Sequence, residues 1–137
     1  MKRNSLIAAA LALFATTAAV AQTVDVKANV PFTFTINRAT LPAGEYSLKS
    51  MDEQGTALAI RNLNSRTANL VLSSSCRSPK SAGQTRLLFH RYGDHYFLSQ
   101  IWMEGSDVGR ELRPSAEEKE VAKDFSMQQV VLVAAKR

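Results

Sequence analysis

The chain has a single cysteine, Cys76, among 137 residues. No internal disulfide can staple the fold, so its stability must come from an ordinary hydrophobic core. Cys76 lies in the polar stretch SSSCRSPKSAGQ, which reads as a solvated loop carrying an unpaired thiol. The pairing open to that thiol is an intermolecular one, giving a dimer through Cys76. Histidine is nearly as scarce, with His90 and His95 the whole supply. A zinc site draws on more protein ligands than two histidines provide, so they make no metal centre by themselves. Lys and Arg nowhere cluster with interleaved aromatics, which leaves nucleic acid without a footprint. No string carries a recognisable catalytic pattern, and from the residues we assign no catalytic group, no metal and no cofactor.

Long apolar runs are missing too, apart from one at the start. There MKRNSLIAAALALFATTAAVAQ joins Lys2 and Arg3 to an apolar run over residues 6–14 and to a small-residue end at Ala19, Val20 and Ala21. This predicts a secretory signal peptide over residues 1–21, cut before Gln22. The run is well short of the ~20 residues that cross a bilayer, and no cysteine stands near the cut to take a lipid. The expectation is export to the periplasm or outside the cell, of a protein not integral to the membrane. Removing 21 of the 137 residues leaves 116, a single domain over 22–137. A chain of that length buries about two thirds of its unfolded surface. Lys2 and Arg3 leave with the signal, so 15 basic residues face 12 acidic ones, a net charge of +3. That is too mild and too scattered to argue for nucleic acid or anionic lipid.

What the domain has is period two. Val24, Val26, Ala28 and Val30 alternate with polar or small residues, and Phe32, Phe34 and Ile36 alternate with Thr33 and Thr35. Pro31 between them cannot donate to a ladder and marks an edge, bend or bulge. LPAGEYSLKSM opens with a tight turn at Pro42 and Gly44 and continues as a strand with Tyr46 and Leu48 on one face. ALAIRNL and NLVLSS read as further short strands, and QQVVLVAAKR as a final one whose apolar run suits a strand covered on both faces. Near the C-terminus the period changes. Ser115 followed three residues later by Glu118 is a capping box, predicting a surface helix to about Phe125 with Val121, Ala122 and Phe125 as its apolar stripe. Its EEKE run reads as a solvated helix face rather than as paired carboxylates for acid–base work. The expected fold is mainly β, an antiparallel meander closing into a small barrel or sandwich, with one short surface helix near the C-terminus.

The richest stretch is LLFHRYGDHYFLSQIW, residues 87–102. Gly93 and Asp94 fit the centre of a type II′ hairpin, in which Tyr92 faces His95 and Phe89 faces Leu98. The alternation then places Leu88, His90, Tyr92, His95, Phe97, Ser99 and Ile101 on one face. Leu87, Phe89, Arg91, Tyr96, Leu98, Gln100 and Trp102 fall on the other. His90, Tyr92, His95 and Phe97 are thus candidate ligand-binding residues, the two histidines on diagonal positions roughly 7 Å apart. A metal-assisted or acid–base role for His90 and His95 needs a third polar group to converge on them. The aromatics of the hairpin are either core or the lining of a barrel mouth that holds a small apolar ligand.

Two segments together, VPFTFTINRATLPAGEYSL and LLFHRYGDHYFLSQIW, resemble a group of small secreted proteins of acidobacterial type. That group shares a VPF-x-F stretch, an LPAG-x-Y turn and an F-x-RYG-x-x-YFL hairpin. The resemblance covers most of the mature chain and implies export and a β-rich fold. Its motifs are prolines, turn glycines and core aromatics, and it brings no catalytic residue with it. The function expected is a non-enzymatic exported domain, a binding or envelope-associated module. A carrier of a small apolar ligand and an enzyme using His90 and His95 are the alternatives.

Overall fold

The structure, a computed structural model, describes residues 23–136. The expected signal peptide lies outside the described residues. Eleven strands and one helix follow in the order β1 (Asp25–Val30), β2 (Phe34–Ile36), β3 (Ala39–Leu41), β4 (Gly44–Ser50), β5 (Ala57–Asn62), β6 (Ala68–Arg77), β7 (Arg86–Tyr92), β8 (His95–Trp102), β9 (Val108–Leu112), α1 (Ala116–Val121), β10 (Met127–Val133) and β11 (Ala135–Lys136). The ladder runs β10-β7-β8-β9-β6-β5-β4-β1-β11, antiparallel at every step, and β2 adds a parallel bridge to β8. The protein is mainly β, as the period-two pattern predicts.

Two strands carry the chain between the halves of this sheet. β6 pairs β5 through residues 68–72 and then changes partner, pairing β9 through residues 73–77. The C-terminal run does the same, β10 lying on β7 and β11 on β1 with Ala134 between them. The sheet is not closed as a continuous barrel. Pro31 acts as the expected break: β1 pairs β4 in one half, while β2 pairs β3 and β8 in the other.

The inward faces meet in a core of Val26, Val30, Tyr46, Leu48, Leu58, Ile60, Leu87, Phe89 and Ile101, all buried. The VPF-x-F and hairpin motifs touch there. Phe32 stacks on Tyr96 at 3.9 Å and meets Phe89 edge-on at 4.9 Å, while Phe34 meets Phe89 at 5.6 Å and Tyr46 at 5.0 Å. The LPAG-x-Y motif has its own device. The Tyr46 hydroxyl donates back to the Pro42 carbonyl and accepts from Asn62 Nδ2. Asn62 in turn accepts the N–H groups of Asn64 and Ser65, so one buried amide ties two turns together.

Four expectations are corrected. Val131 and Val133 are 54% and 60% exposed, so β10 is a strand with one open face; only Val130 and Leu132 pack against the core. The helix stops at Val121, short of Phe125: beyond it the backbone bonds tighten to three-residue spacing, Lys123 N–H to Glu120 and Asp124 N–H to Val121, and Phe125 instead covers Gly93 of the hairpin. Cys76 lies within β6, opposite Gly109, rather than in a loop. The hairpin register holds from Tyr92↔His95 to Phe89↔Leu98, with Gly93 at φ +59° as a type II′ turn requires, but a bulge follows. Leu88 pairs Gln100 and Ser99 is skipped, which turns Ile101 into the core and Trp102 away from it.

Candidate functional site

The helix α1 rests on the outer face of β7 and β8, the face that holds His90, Tyr92 and Phe97. Ser115 caps it with an extended backbone and accepts the Glu118 N–H at 3.1 Å. That is half of a capping box. In the other half the Glu118 carboxylate would reach back to the Ser115 N–H, but it turns inward instead. Its Oε2 accepts from the Tyr92 hydroxyl at 3.0 Å and lies 3.1 Å from His90 Nδ1. Glu118 is 6% exposed, on the same helical stripe as Val121 three residues on.

A carboxylate oxygen only accepts, so the hydrogen bond places the imidazole proton on Nδ1 and leaves Nε2 as the basic nitrogen of the neutral ring. The arrangement is that of a carboxylate orienting a histidine, the pair that in hydrolytic sites serves a nucleophile. Here the ring's hydrogen-bond partner is Glu118, and among the described residues no hydroxyl or thiol bonds to it. Chemically the group fixes the helix to the sheet with charge-assisted hydrogen bonds and holds a carboxylate at a partly covered position.

Tyr92 registers this carboxylate. Burial first, then the hydrogen bond and charge of Glu118, raise its phenol above the ordinary value, and burial raises Tyr46 as well. Both favour the neutral phenol in the folded state. The stability they contribute is present in full below the ordinary tyrosine value of about 10, and is lost as the pH climbs from there through the raised values. Glu118→Gln is expected to cost about 1–2 kcal/mol and to bring the Tyr92 titration, followed by phenolate absorbance, down toward the ordinary value. An unmoved titration would show that burial alone sets it.

Of the four candidate residues, the structure brings three together. Tyr92 meets His90 and Phe97 edge-on at 6.4 and 5.9 Å. His95 is exposed and lies instead beside Phe125, their ring centres 6.2 Å apart. Among the described residues no three His, Cys, Asp or Glu side chains gather where they could hold a metal ion. The polar groups that meet at His90 are Glu118 and Tyr92, and no group joins His90 to His95 among the described residues. The sequence signal for Glu118 was its place three residues before Val121 on the packed stripe, hidden by an acidic run that otherwise faces solvent.

Phe97 and Glu118 also border a cavity of about 440 Å³. It arises from the partner change in β6. Residues 68–72 use one edge for β5, and their other edge, where β9 has not yet joined, has no ladder partner. The gap is bounded by this bare edge, by Thr35 and Asn37 of the β2 segment, and by Leu112, Arg113 and Ser115. Leu70 and Leu72 stand at it 68% and 72% exposed. Cys76, further along β6, is half-buried, and that burial pushes its thiol up, away from the reactive thiolate. No described helix is long and apolar enough to cross a membrane. Comparison with known family models, with curated proteins and with solved structures finds no match.

Proposed function

We propose that this protein is an exported, non-enzymatic binding module of the periplasm or cell exterior, and that its recognition surface is the slot beside β6. The observation that carries the reading is the bare edge of residues 68–72, flanked by the exposed Leu70 and Leu72 in a cavity of about 440 Å³. An unpaired strand edge offers main-chain donors and acceptors, and alternate side chains beside it supply selectivity, which is how extended peptides join a sheet. The ligand class is an extended segment with apolar residues at alternate positions. Glu111, Arg113 and Glu118 at the slot give it a polar border.

The inside of the fold also supports a protein that does not span a membrane by its strands. Transmembrane barrels are apolar outward and polar within, and this core is aromatic and aliphatic. Cys76, half-buried and with its thiolate disfavoured, supports a monomer over a disulfide dimer. The enzymatic alternative has less to stand on, since His90 and His95 face different surroundings.

The test is an NMR titration with a short peptide alternating valine and threonine. Amide shifts confined to residues 68–74, removed by Leu70→Lys with Leu72→Lys, are the expected result. Steady turnover of a substrate by the purified protein, abolished by His90→Ala, would overturn the non-enzymatic reading. Export is checked separately: protein from the host envelope should have the intact mass of a chain starting at Gln22.

A further inference from the structure

The partner change in β6 creates a second cavity, on the β5 side of the strand. It has a volume of about 630 Å³ and takes in Val24, Thr56, Ser73, Ile101, Met103 and Arg110. That is within the ~300–1,000 Å³ of small-molecule sites. Arg110 is the unusual member. In β9 it pairs Ile101 on one side and Ser75 on the other, and its face alternates with that of Glu111, so the guanidinium sits inward with the core residues Ile101 and Leu112. Only 9% of the residue is exposed.

A buried guanidinium stays charged and normally has an anion beside it. Arg110 has none. Its Nε donates to Ser73 Oγ at 2.9 Å and one terminal nitrogen donates to the Ser73 carbonyl at 2.8 Å, both neutral acceptors. Among the described residues no carboxylate forms an ion pair with it. Nor is any buried side-chain nitrogen left without a hydrogen bond. The N–H groups that Ser73 does not use are therefore accessible, and the space that Arg110 borders is the cavity. Met103 and the partly exposed Val108 form the apolar part of the wall, while Val24 and Ile101 are packed into the core behind it. Among the described residues Arg110 is the only basic one of the lining, and Glu53 stands at the same cavity, which disfavours a second negative charge.

We propose that this cavity binds a single-chain amphiphile with a carboxylate head, the carboxylate on Arg110 and the chain on Met103 and Val108. A monoanion matches one guanidinium, and the planar fork of donors matches a carboxylate. The site goes beyond the slot reading. It shares the strand β6 with the slot but not Leu70 or Leu72, so either can fail without the other.

The experiment is calorimetric titration of the purified protein with decanoate, decanol and decyl phosphate. Decanoate is expected to bind roughly tenfold more tightly than decanol or more, and Arg110→Gln to erase that preference while leaving peptide binding at the slot unchanged. Should Arg110→Gln fail to fold, Thr56→Trp, at an exposed position on the cavity, is expected to abolish decanoate binding with an unchanged Tm. In the wild type the Arg110 Nη–H resonances should shift with decanoate and stay fixed with decanol. No decanoate binding, equal affinity for acid and alcohol, or full decanoate binding by Thr56→Trp would each overturn the proposal. Tighter binding of decyl phosphate would overturn the assignment of a monoanionic head.

Discussion

Replacing Phe89 by alanine is expected to remove about 3–5 kcal/mol of stability, the range for truncating a buried aromatic. Phe89 is fully buried, and its strand β7 lies between β10 and β8, with Val130 and Leu98 as its direct partners. Phe32 and Phe34 both set ring edges against it, so truncation removes two aromatic contacts besides the buried area. The hole left behind is walled by paired strands, which collapse poorly, and a cavity that cannot close adds its own cost. Against a total stability of about 5–15 kcal/mol, the loss is at least about a fifth of the whole. Urea unfolding followed by Trp102 fluorescence measures it. Val131→Ala, on the exposed face of the neighbouring strand, is the control and should stay within about 0.5 kcal/mol of wild type. A loss below about 1.5 kcal/mol for Phe89→Ala, in the range of a tolerated core swap, would show that the aromatic cluster does not organise the core.

Gly109→Ala should cost about 3 kcal/mol, the upper end for overpacking. A Cβ at this position would lie 2.7 and 2.8 Å from Trp102 Cε3 and Cδ2, and 2.9 Å from the Ile101 carbonyl oxygen. Trp102 pairs Gly109 across β8 and β9, and its indole covers the bare backbone there. The indole is not free to retreat: it is 6% exposed and its Nε1 donates to Gln100 Oε1 at 2.9 Å. The backbone oxygen can give way only by parting the two strands. Near-ultraviolet circular dichroism of Trp102 and the thermal midpoint should both change. Gly83→Ala, where an added Cβ meets nothing within 4 Å, should be nearly silent. In a Trp102→Ala background the Gly109→Ala cost should shrink, because the two side chains compete for one space. Additive costs would locate the strain in the Ile101 carbonyl instead.

Much of this fold is legible in alternation alone. The inward sets of β1 and β4, the break at Pro31, and the hairpin turn with its first four pairs all follow from period two and turn chemistry. The bulge at Ser99 does not, because skipping one residue leaves the composition of a strand unchanged while reversing every side chain beyond it. Ile101 and Trp102 are on the faces opposite to those expected for this reason alone. β9 is hard to read because VGREL is short and two of its five residues are charged, although Arg110 and Leu112 are two residues apart and share a face. Of the candidate site, His90, Tyr92 and Phe97 are legible as one face of a hairpin, whereas His95 lies at the turn beside Phe125, away from Glu118. Glu118 and Arg110 could not be picked out, since a charge that turns inward looks in sequence like its solvated neighbours.

The short β11 has a consequence for the order of folding. Val26 pairs Lys136 and Lys27 pairs Ala135, so the first strand of the domain finds one of its two neighbours among the last residues described. Local hairpins such as β7–β8 can form as the chain emerges, but closing β1 onto β11 spans almost the whole domain. Contacts of such high order carry the largest loop-closure entropy and make folding slow. The chain accordingly reaches its native state only after its last strand is free, as a whole and not by stages from the N-terminus. Until then, the unpaired edge of β1 is the surface that most needs shielding from other chains.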